Sequence, residues 1–289
     1  MADDPLIEEC LSHLLGFTLD QQQITWLTQG IDASQLNLDV DDPEQVSRGV
    51  AEVGEELVFI KDKGAGTATL APFGRGYQAT AAATWPTGTR VTTAPRFPRA
   101  RIRQAINNVI QSTYPKLFAV DEEELDPGVR VTYELPAEVQ QVLTVRQQAI
   151  GPYGYWRPIH HYTSRDASTT EYPTGKTIDI YDGLQPGQPV QVRYTKKPTV
   201  LAAGQAFTVS GLAGTAWPCV MYGAMHRLLT GAPAGLAGVD SVKASEAQTR
   251  RRVSLAETAR EFYALHVQLL NDERDRLLAE HDATSNHEE

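Results

Sequence analysis

Helical periodicity is clearest in one segment of the chain, and this segment limits how the rest can fold. Over residues 97–114, apolar side chains recur at three- and four-residue intervals, which places them on one face of a helix. They are Ile102, Ala105, Ile106, Val109, Ile110 and Thr113. Pro98 suits the first helical turn, where no N–H is needed, and Pro115 ends the helix. Because the helix must bury its apolar face, we expect it to pack on other helices.

The other long helical patterns lie near the C-terminal end, more than a hundred residues later. One covers residues 217–230, and the other runs from residue 241 or 242 to about 282. A helix of about forty residues is roughly 60 Å long, so its far end is expected to project beyond the body of the protein. A short helix is also predicted from Pro5, with Gly16 as its terminator.

Short segments rich in β-branched and aromatic residues, bounded by glycine, proline and aspartate, fill the remaining sequence. Leu57–Ile60 and Thr67–Leu70 are predicted to pair as a hairpin. The expected fold is α+β, with a bundle of three main helices, an N-terminal small β domain and an inserted antiparallel β sheet or sandwich. The expected divisions are 1–95 (N-terminal helix and small β domain), 96–120 with 214–283 (helical bundle), 121–213 (inserted β domain) and 284–289 (flexible tail).

Composition narrows the functional classes. The formal net charge is −10, so general attraction to nucleic acid is not expected. Cys10 and Cys219 are too few for a disulfide framework and lack metal-ligand spacing, which indicates a reducing cytoplasm. The N-terminus lacks the apolar segment of a signal peptide, and no run approaches eighteen apolar residues. We expect a soluble protein that makes no membrane contact.

Charge is unevenly distributed along the chain. Residues 1–60 carry thirteen acids against Arg48 alone, whereas residues 90–103 carry five arginines and no acid. The arginines could contact nucleic acid or an acidic partner, or they could compensate the acidic N-terminal region from a solvated helix face. We favour salt bridges to a neighbouring subunit, and the candidate interface residues are Arg96, Arg99, Arg101 and Arg103.

Four patterns resemble catalytic or ligand sites but lack essential parts. Residues 74–77 (Gly-Arg-Gly-Tyr) lack the Gly-Lys-Ser/Thr ending of a phosphate loop, so a turn is expected. His160 and His161 are adjacent, and neighbouring strand residues point to opposite faces, so a metal site is not expected.

Cys219 and His226 lie seven residues apart on one predicted helix, roughly 10 Å, which is too far for a nucleophile and its base. The acidic run 121–126 lacks the ligand spacing of a calcium loop, so a solvated loop is expected. The sequence therefore predicts no catalytic, cofactor-binding or metal site.

Two stretches of the chain carry a resemblance to a known family. Residues 47–98 contain Gly49-x-x-Glu52-Val53-Gly54-Glu55-Glu56, Arg75-Gly76-Tyr77-x-x-Thr80-x-Ala82-Ala83 and Pro95-x-Phe97-Pro98. A later stretch contains Tyr194-x-x-x-Pro198, Trp217-Pro218 and Tyr222-Gly223-Ala224 before the long final helix. The first resembles virion neck proteins of tailed bacteriophages, and the second is similar to head-to-tail adaptor (connector) proteins. The chain departs from the family at Trp85, where these loops often have histidine.

The resemblance implies a structural virion protein of the neck, made in the host cytoplasm, with no enzymatic activity and no cofactor. It would form a homo-oligomeric ring beneath the twelve-fold portal, join the capsid to the tail and line the DNA exit path. Its partners would be the portal protein, a downstream tail or neck protein and passing DNA, bound without sequence specificity. Residues 271–289 would contact the portal, as an exposed charged helix end followed by a loose tail often orders on docking. The candidate portal contacts are Arg274, Arg276, Leu277 and Leu278.

A second class stays open: a β-rich tail or baseplate protein, or a carbohydrate-binding module. It would use the exposed aromatic residues Tyr153, Tyr155, Trp156 and Tyr162. We rank it below the adaptor because it leaves the three helices unexplained.

Overall fold

A computed structural model describes residues 4–15, 23–126, 131–150, 154–230 and 242–281, with side chains of the last segment described from Ala256 onward. The helices are α1 (Pro5–Leu15), α2 (Arg99–Thr113), α3 (Trp217–Thr230) and α4 (Val242–Glu280). The first six strands are β1 (Gln23–Trp26), β2 (Asn37–Asp39), β3 (Gly49–Val53), β4 (Glu56–Lys63), β5 (Thr67–Leu70) and β6 (Arg90–Thr93). The others are β7 (Ala119–Leu125), β8 (Thr132–Glu134), β9 (Gln141–Gln148), β10 (Trp156–Ile159), β11 (Tyr162–Asp166), β12 (Lys176–Ile180) and β13 (Val190–Lys196).

The fold class expected from the sequence is wrong. Within the described residues the protein is mostly β, with thirteen strands in three antiparallel sheets and four helices, rather than a three-helix bundle with a small β domain. The strands are only three to eight residues long, so each has a weak periodic signal beside that of a long helix. Their alternate residues nevertheless build two apolar clusters, and the hydrophobic core of each β module comes from strands.

The chain divides into two compact units. Unit 1 comprises Met1–Asn108, Ala202–Ala206 and Met221–Ala264, and unit 2 comprises Val109–Leu201, Phe207–Val220 and Leu265–Glu289. Helices α2 and α4 and the α3 segment therefore contribute residues to both units.

The sheet of unit 1 closes on itself. Its six strands run in the order β1-β6-β3-β4-β5-β2, and Leu27 and Val40, which follow the two edge strands, form a bridge. The Thr28 N–H donates to the Asp39 carbonyl at 2.9 Å, so the edges are joined by hydrogen bonds. The sheet encloses Leu27, Ile31, Leu38, Val40, Val46, Ala51, Val53, Val58, Ile60, Ala68, Leu70 and Val91. The predicted hairpin of Leu57–Ile60 with Thr67–Leu70 is confirmed as part of β4 and β5.

Unit 2 contains two sheets that share one apolar core. The four-stranded sheet has the order β10-β9-β13-β7 and the three-stranded sheet has the order β11-β12-β8. Residues from both sheets, among them Val145, Ile178 and Val192, belong to one buried cluster. The acidic run that we expected to be a loop is edge strand β7, since Ala119 and Leu125 are buried at its ends and an edge tolerates the charged residues between them.

Helix α4 has one buried stripe in unit 2. Leu270, Glu273 and Leu277 are each no more than 8% exposed, and the Glu273 carboxylate accepts from Thr215 Oγ1 at 2.9 Å. The expectation that the far end of this helix projects from the body is therefore wrong as far as His281, whose ring lies 6.4 Å from that of Phe118. No helix in the described ranges is long and apolar enough to span a membrane. The predicted tail 284–289 lies outside the described residues.

Candidate functional site

The three motifs that resemble neck proteins, in residues 47–98, converge at one hairpin of unit 1. Strands β3 and β4 pair with Val53 opposite Glu56, which leaves Gly54 and Glu55 as a two-residue turn. Three acids at this turn each bind a different arginine. The pairs are Glu52 with Arg99, Glu55 with Arg103 and Glu56 with Arg75. We call these six residues the hairpin network.

The Glu56 carboxylate is buried and fully hydrogen-bonded. Arg75 donates to it from Nε at 2.8 Å and from Nη2 at 2.9 Å, and the Gly76 and Ala83 N–H groups donate at 2.9 and 3.1 Å. The Trp85 Nε1–H donates at 2.9 Å. Burial raises the pKa of Glu56, but the hydrogen bonds from Arg75, Gly76, Trp85 and Ala83 outweigh it and the pKa is lowered. These bonds occupy the lone pairs, so this ionised carboxylate stabilises a loop and is not placed to act as a base or ligand.

The loop over residues 74–77 is a structural clasp. The Arg75 guanidinium also donates to the carbonyls of Ala83 at 2.7 Å and Gln35 at 3.0 Å, and to that of Asp32. Gly76 has φ of 58°, and a Cβ there would lie 2.8 Å from the Thr80 carbonyl oxygen. The arginine and the glycine thus close the loop on itself, in the turn conformation that the sequence favours over a phosphate loop.

Trp85 completes the clasp, although the sequence suggests no role for it. Its ring packs against the core of the closed sheet, and its backbone pairs with Ile31. Gly54 has φ of 61°, and a Cβ there would lie 2.4 Å from the Trp85 ring. The glycine of the Gly-Glu-Glu motif therefore makes room for the indole as well as the turn. The sequence pattern does not predict this role for Trp85.

Arg99 is bound inside unit 1. It is 4% exposed; its backbone N–H and its Nη1 both donate to the Glu52 carboxylate, and its Nη2 pairs with Glu8 of α1. Glu52 is 2% exposed, and burial raises its pKa to about 7 against the opposing effects of Arg99 and Arg90. The first turn of α2 is thus fixed to strand β3 and to helix α1.

Arg103 makes the second link between the same elements. Its Nε donates to Glu55 Oε2 at 2.6 Å, its Nη2 donates to Asp4 Oδ2 at 2.6 Å, and its Nη1 donates to the Ala202 carbonyl at 2.9 Å. Arg99 and Arg103 thus form salt bridges with acids of the N-terminal region. The sequence analysis favoured salt bridges to a neighbouring subunit over this compensation within the chain.

The other two arginine candidates lie at the surface or near it. Arg101 is exposed and donates to Gln104 of its own helix at 3.1 Å. Arg96 stacks on the Phe97 ring at 5.4 Å and is half-buried. Of the four interface candidates, Arg101 is the one whose guanidinium the fold leaves most open to a neighbour.

The portal-contact candidates divide between two faces of α4. Leu277 is 7% exposed and belongs to the buried stripe, whereas Leu278 is 53% exposed. Arg276 bridges Glu273 at 2.7 Å and Glu280 at 2.5 Å on its own helix, and Arg274 pairs with Asp275 at 2.6 Å. Of the four candidates only Leu277 belongs to the buried stripe, and the predicted contact residues 282–289 lie outside the described residues.

An outer stripe runs beside the buried one on the unit 2 part of α4. It consists of Val267, Asn271, Arg274 and Leu278, spaced four, three and four residues apart. This is the spacing with which one helix packs along another, and the first three side chains are half-buried while Leu278 is exposed. The outer stripe is a surface of mixed apolar and cationic character.

Cys219 has a histidine beside it, His266, that the spacing of the sequence does not predict. Its Sγ lies 3.6 Å from Nδ1 of His266, whereas the rejected partner His226 has its Nδ1 at 2.9 Å from the Ala259 carbonyl oxygen. The same His266 nitrogen lies 2.9 Å from the Cys219 carbonyl oxygen. The thiol is 1% exposed, and burial, aided by Glu273, raises its pKa to about 12. A protonated, buried thiol is a packing group rather than a nucleophile.

The remaining candidate residues are scattered. His160 and His161 follow β10 and are exposed, and their N–H groups lie 3.1 and 3.4 Å from Asp182 Oδ2. Within the described ranges, no three His, Cys, Asp or Glu side chains are grouped as a metal site. Among the aromatic candidates for glycan binding, Tyr155 is 66% exposed, Trp156 and Tyr162 are half-buried, and Tyr153 lies outside the described residues.

Comparison of the chain with models of known protein families and with curated proteins finds no match.

Proposed function

We propose that this chain is a structural subunit of the neck of a tailed-bacteriophage virion, a head-to-tail adaptor that forms a ring under the portal and joins the capsid to the tail. The observation that carries the proposal is the convergence of the motifs at the β3–β4 hairpin. Residues 49–56, 75–83 and 95–98, which resemble neck proteins, supply or flank the hairpin network. A set of short motifs that meet in one place is stronger support for a shared fold than any one motif alone.

The chemistry of these residues favours a structural role. The Glu56 carboxylate accepts hydrogen bonds from the loop that contains Arg75. Arg99 and Arg103 connect helices α1 and α2 to the β3–β4 hairpin. Reactive groups in enzymes are positioned to meet a substrate, whereas each of these groups meets another part of the same chain. A rigidly held scaffold is what a ring subunit under mechanical load requires.

The outer stripe of α4 supports a role for this helix in docking. Helix-in-groove recognition uses anchors at this spacing, and arginine is enriched at interfaces. In the proposal, Arg274 and Leu278 contact the portal or the neighbouring subunit. Leu277 is covered by its own chain and has no part in that contact.

Electron microscopy of the purified full chain mixed with purified portal tests the function. We expect rings of the chain, coaxial with the portal, on the face away from the capsid. A mixture in which the two proteins stay separate at low salt would refute the adaptor. Binding to bacterial surface glycans that Trp156→Ala abolishes would instead favour the carbohydrate-binding module, for which the exposed ring of Tyr155 is the supporting observation.

A further inference from the structure

The four-stranded sheet of unit 2 has edges of opposite charge. Residues 119–126, which contain β7, include five acids and no basic residue. Residues 154–163, which contain β10, include one arginine, two histidines and no acid. Asp121 and Glu122 pair with basic residues of the adjacent strand β13. Within the described ranges, Glu124, Asp126 and Arg157 make no ion pair, so each edge keeps an uncompensated charge.

The strand register places these charges at the same height. Arg157 on β10 is opposite Gln147, Gln147 is opposite Val190, and Val190 is opposite Leu125 on β7. Leu125 lies between Glu124 and Asp126 in the sequence. A second copy placed beside the first along this row would therefore bring its Arg157 level with Leu125, one residue from each of the two unpaired acids.

The strand directions allow copies in the same orientation, related by a simple rotation, to meet through these two edges. The four strands are antiparallel in succession, so the edge strands β7 and β10 run in opposite directions. When copies follow one another with the same orientation, β7 of one copy lies antiparallel to β10 of the next. Such a head-to-tail contact closes into a ring if the rotation between copies is suitable.

The acidic edge also has a depression that can receive a side chain. An open hollow of about 350 Å³ is lined by Glu124, Leu125, Asp126, Gly187 and Pro189. Its apolar wall suits the methylene stem of an arginine and its two carboxylates suit the guanidinium. On the other edge Arg157 and Tyr155 are both exposed.

Pro158 determines what kind of contact is possible. The Ala149 N–H donates to the Tyr155 carbonyl, so the backbone of Tyr155 faces the adjacent strand β9. Because backbone groups along a strand face the two sides alternately, those of Pro158, three residues later, face the free edge. Proline has no N–H to donate there, so a neighbour cannot form a regular strand ladder with β10. The contact must depend on side chains.

We infer that copies of this chain associate head to tail through the opposite edges of this sheet, with Arg157 of one copy entering the Glu124–Asp126 hollow of the next. The inference rests on the proposed function for the closure of the contact into a ring. The partner is a second copy because both complementary surfaces belong to the same sheet.

Charge reversal with cross-rescue tests the contact. Arg157→Glu gives a chain with two acidic edges, and the double variant Glu124→Arg, Asp126→Arg gives one with two basic edges. In sedimentation velocity of the full chain, we expect the wild type to associate in a concentration-dependent and salt-sensitive way. The association constant of each variant is expected to be lower by about tenfold or more. An equimolar mixture of the two variants is expected to associate again, because an acidic edge then meets a basic one.

Control variants with charge changes of the same sign are available in the same unit. Lys116 and Glu171 are exposed and lie outside both edge strands, so Lys116→Glu and Glu171→Arg are expected to associate like the wild type. Circular dichroism checks that each variant is folded, and Arg157→Gln replaces Arg157→Glu if the latter is not. Wild type that stays monomeric, variants that match their controls, or a mixture that fails to associate would each overturn the inference.

The portal experiment separates this inference from the proposed function. Portal-bound rings of Arg157→Glu as regular as those of the wild type would overturn the edge contact and leave the adaptor standing. If the chain associates through these edges but does not bind a portal, the edge contact would be supported and the adaptor function would be refuted.

Discussion

The indole Nε1–H of Trp85 donates to Glu56 Oε2 at 2.9 Å, and both side chains lie against the core of the closed sheet. This bond links a loop residue to an acid 29 positions earlier in the chain. Together with Arg75 it explains why a carboxylate can be buried at this place: each of its oxygens meets a donor.

Glu56→Gln is expected to lower the free energy of unfolding by about 3 kcal/mol or more, since Arg75 would then be a buried charge without its counter-ion. Urea unfolding followed by tryptophan fluorescence measures the change. Glu44→Gln is the matched control, because the Glu44 side chain is 87% exposed. Equal midpoints for the two variants would show that the clasp contributes little.

Gly54→Ala is expected to cost about 1–3 kcal/mol, because alanine must adopt φ of 61° and its methyl group would overlap the Trp85 ring. Gly64→Ala is the control in the same unit: its added Cβ would meet only the Thr67 carbonyl oxygen, at 3.6 Å. Thermal unfolding of the two variants side by side gives the comparison. A Gly54→Ala protein as stable as Gly64→Ala would mean that the turn relaxes freely.

Glu52 is expected to make stability fall with rising pH. Its pKa is about 7 in the folded protein and 4.5 when unperturbed, so protonation of Glu52 favours the folded state. This contribution to the free energy of unfolding is complete below pH 4.5 and is lost as the pH rises through 7. The difference in pKa corresponds to roughly 3 kcal/mol.

Glu52→Gln removes this titration. The free energy of unfolding of the wild type, measured from pH 4.5 to 8, should decrease relative to that of the variant. Parallel curves for the two proteins would show that Glu52 stays ionised throughout, held by Arg99.

Both cysteines are expected to be unreactive in the native protein. Cys10 is 0% exposed and Cys219 is 1% exposed, and burial raises the pKa of each thiol to about 12. A thiol-exchange reagent at pH 8 should therefore modify neither cysteine until denaturant is added, when both should react. Rapid modification of one thiol without denaturant would show that its helix opens readily.

Leu278→Glu is expected to weaken ring assembly on the portal by about tenfold or more if the outer stripe is an interface. Ala279→Glu adds the same charge at the next, exposed residue, on a different face of the helix, and should assemble like the wild type. The fraction of portals carrying a ring in electron micrographs measures both. Equal assembly by both variants would remove the outer stripe from the proposed interface.

The elements with strong local signals could be predicted from the sequence. The helix expected over residues 97–114 is α2 at Arg99–Thr113, and the hairpin of β4 and β5 was also predicted. Strand β7 was missed because its four consecutive acids hide the burial of Ala119 and Leu125 at its ends. Local patterns cannot show that an edge strand will accept such charge, since that depends on which neighbours pair with it.

The partners of the arginines could not be predicted in the same way. Arg99 meets Glu52 across 47 residues, and Arg103 meets Asp4 across 99. One sequence signal pointed in this direction: the acid-rich first sixty residues face a short arginine-rich segment with no acid of its own. That imbalance predicts that the arginines form ion pairs with the acids. It does not distinguish acids in the same chain from acids in a neighbouring one.

The hairpin network also sets an order of events during synthesis. The β3–β4 hairpin leaves the ribosome with Glu52 and Glu55 exposed, and their arginines follow 47 and 48 residues later. Until then the hairpin carries two acids without counter-ions, and α1 has no anchor on α2. A ribosome-stalled chain that ends before Arg99 has emerged should therefore remain sensitive to proteases in α1, and protection of α1 should arise only when the start of α2 is outside the exit tunnel.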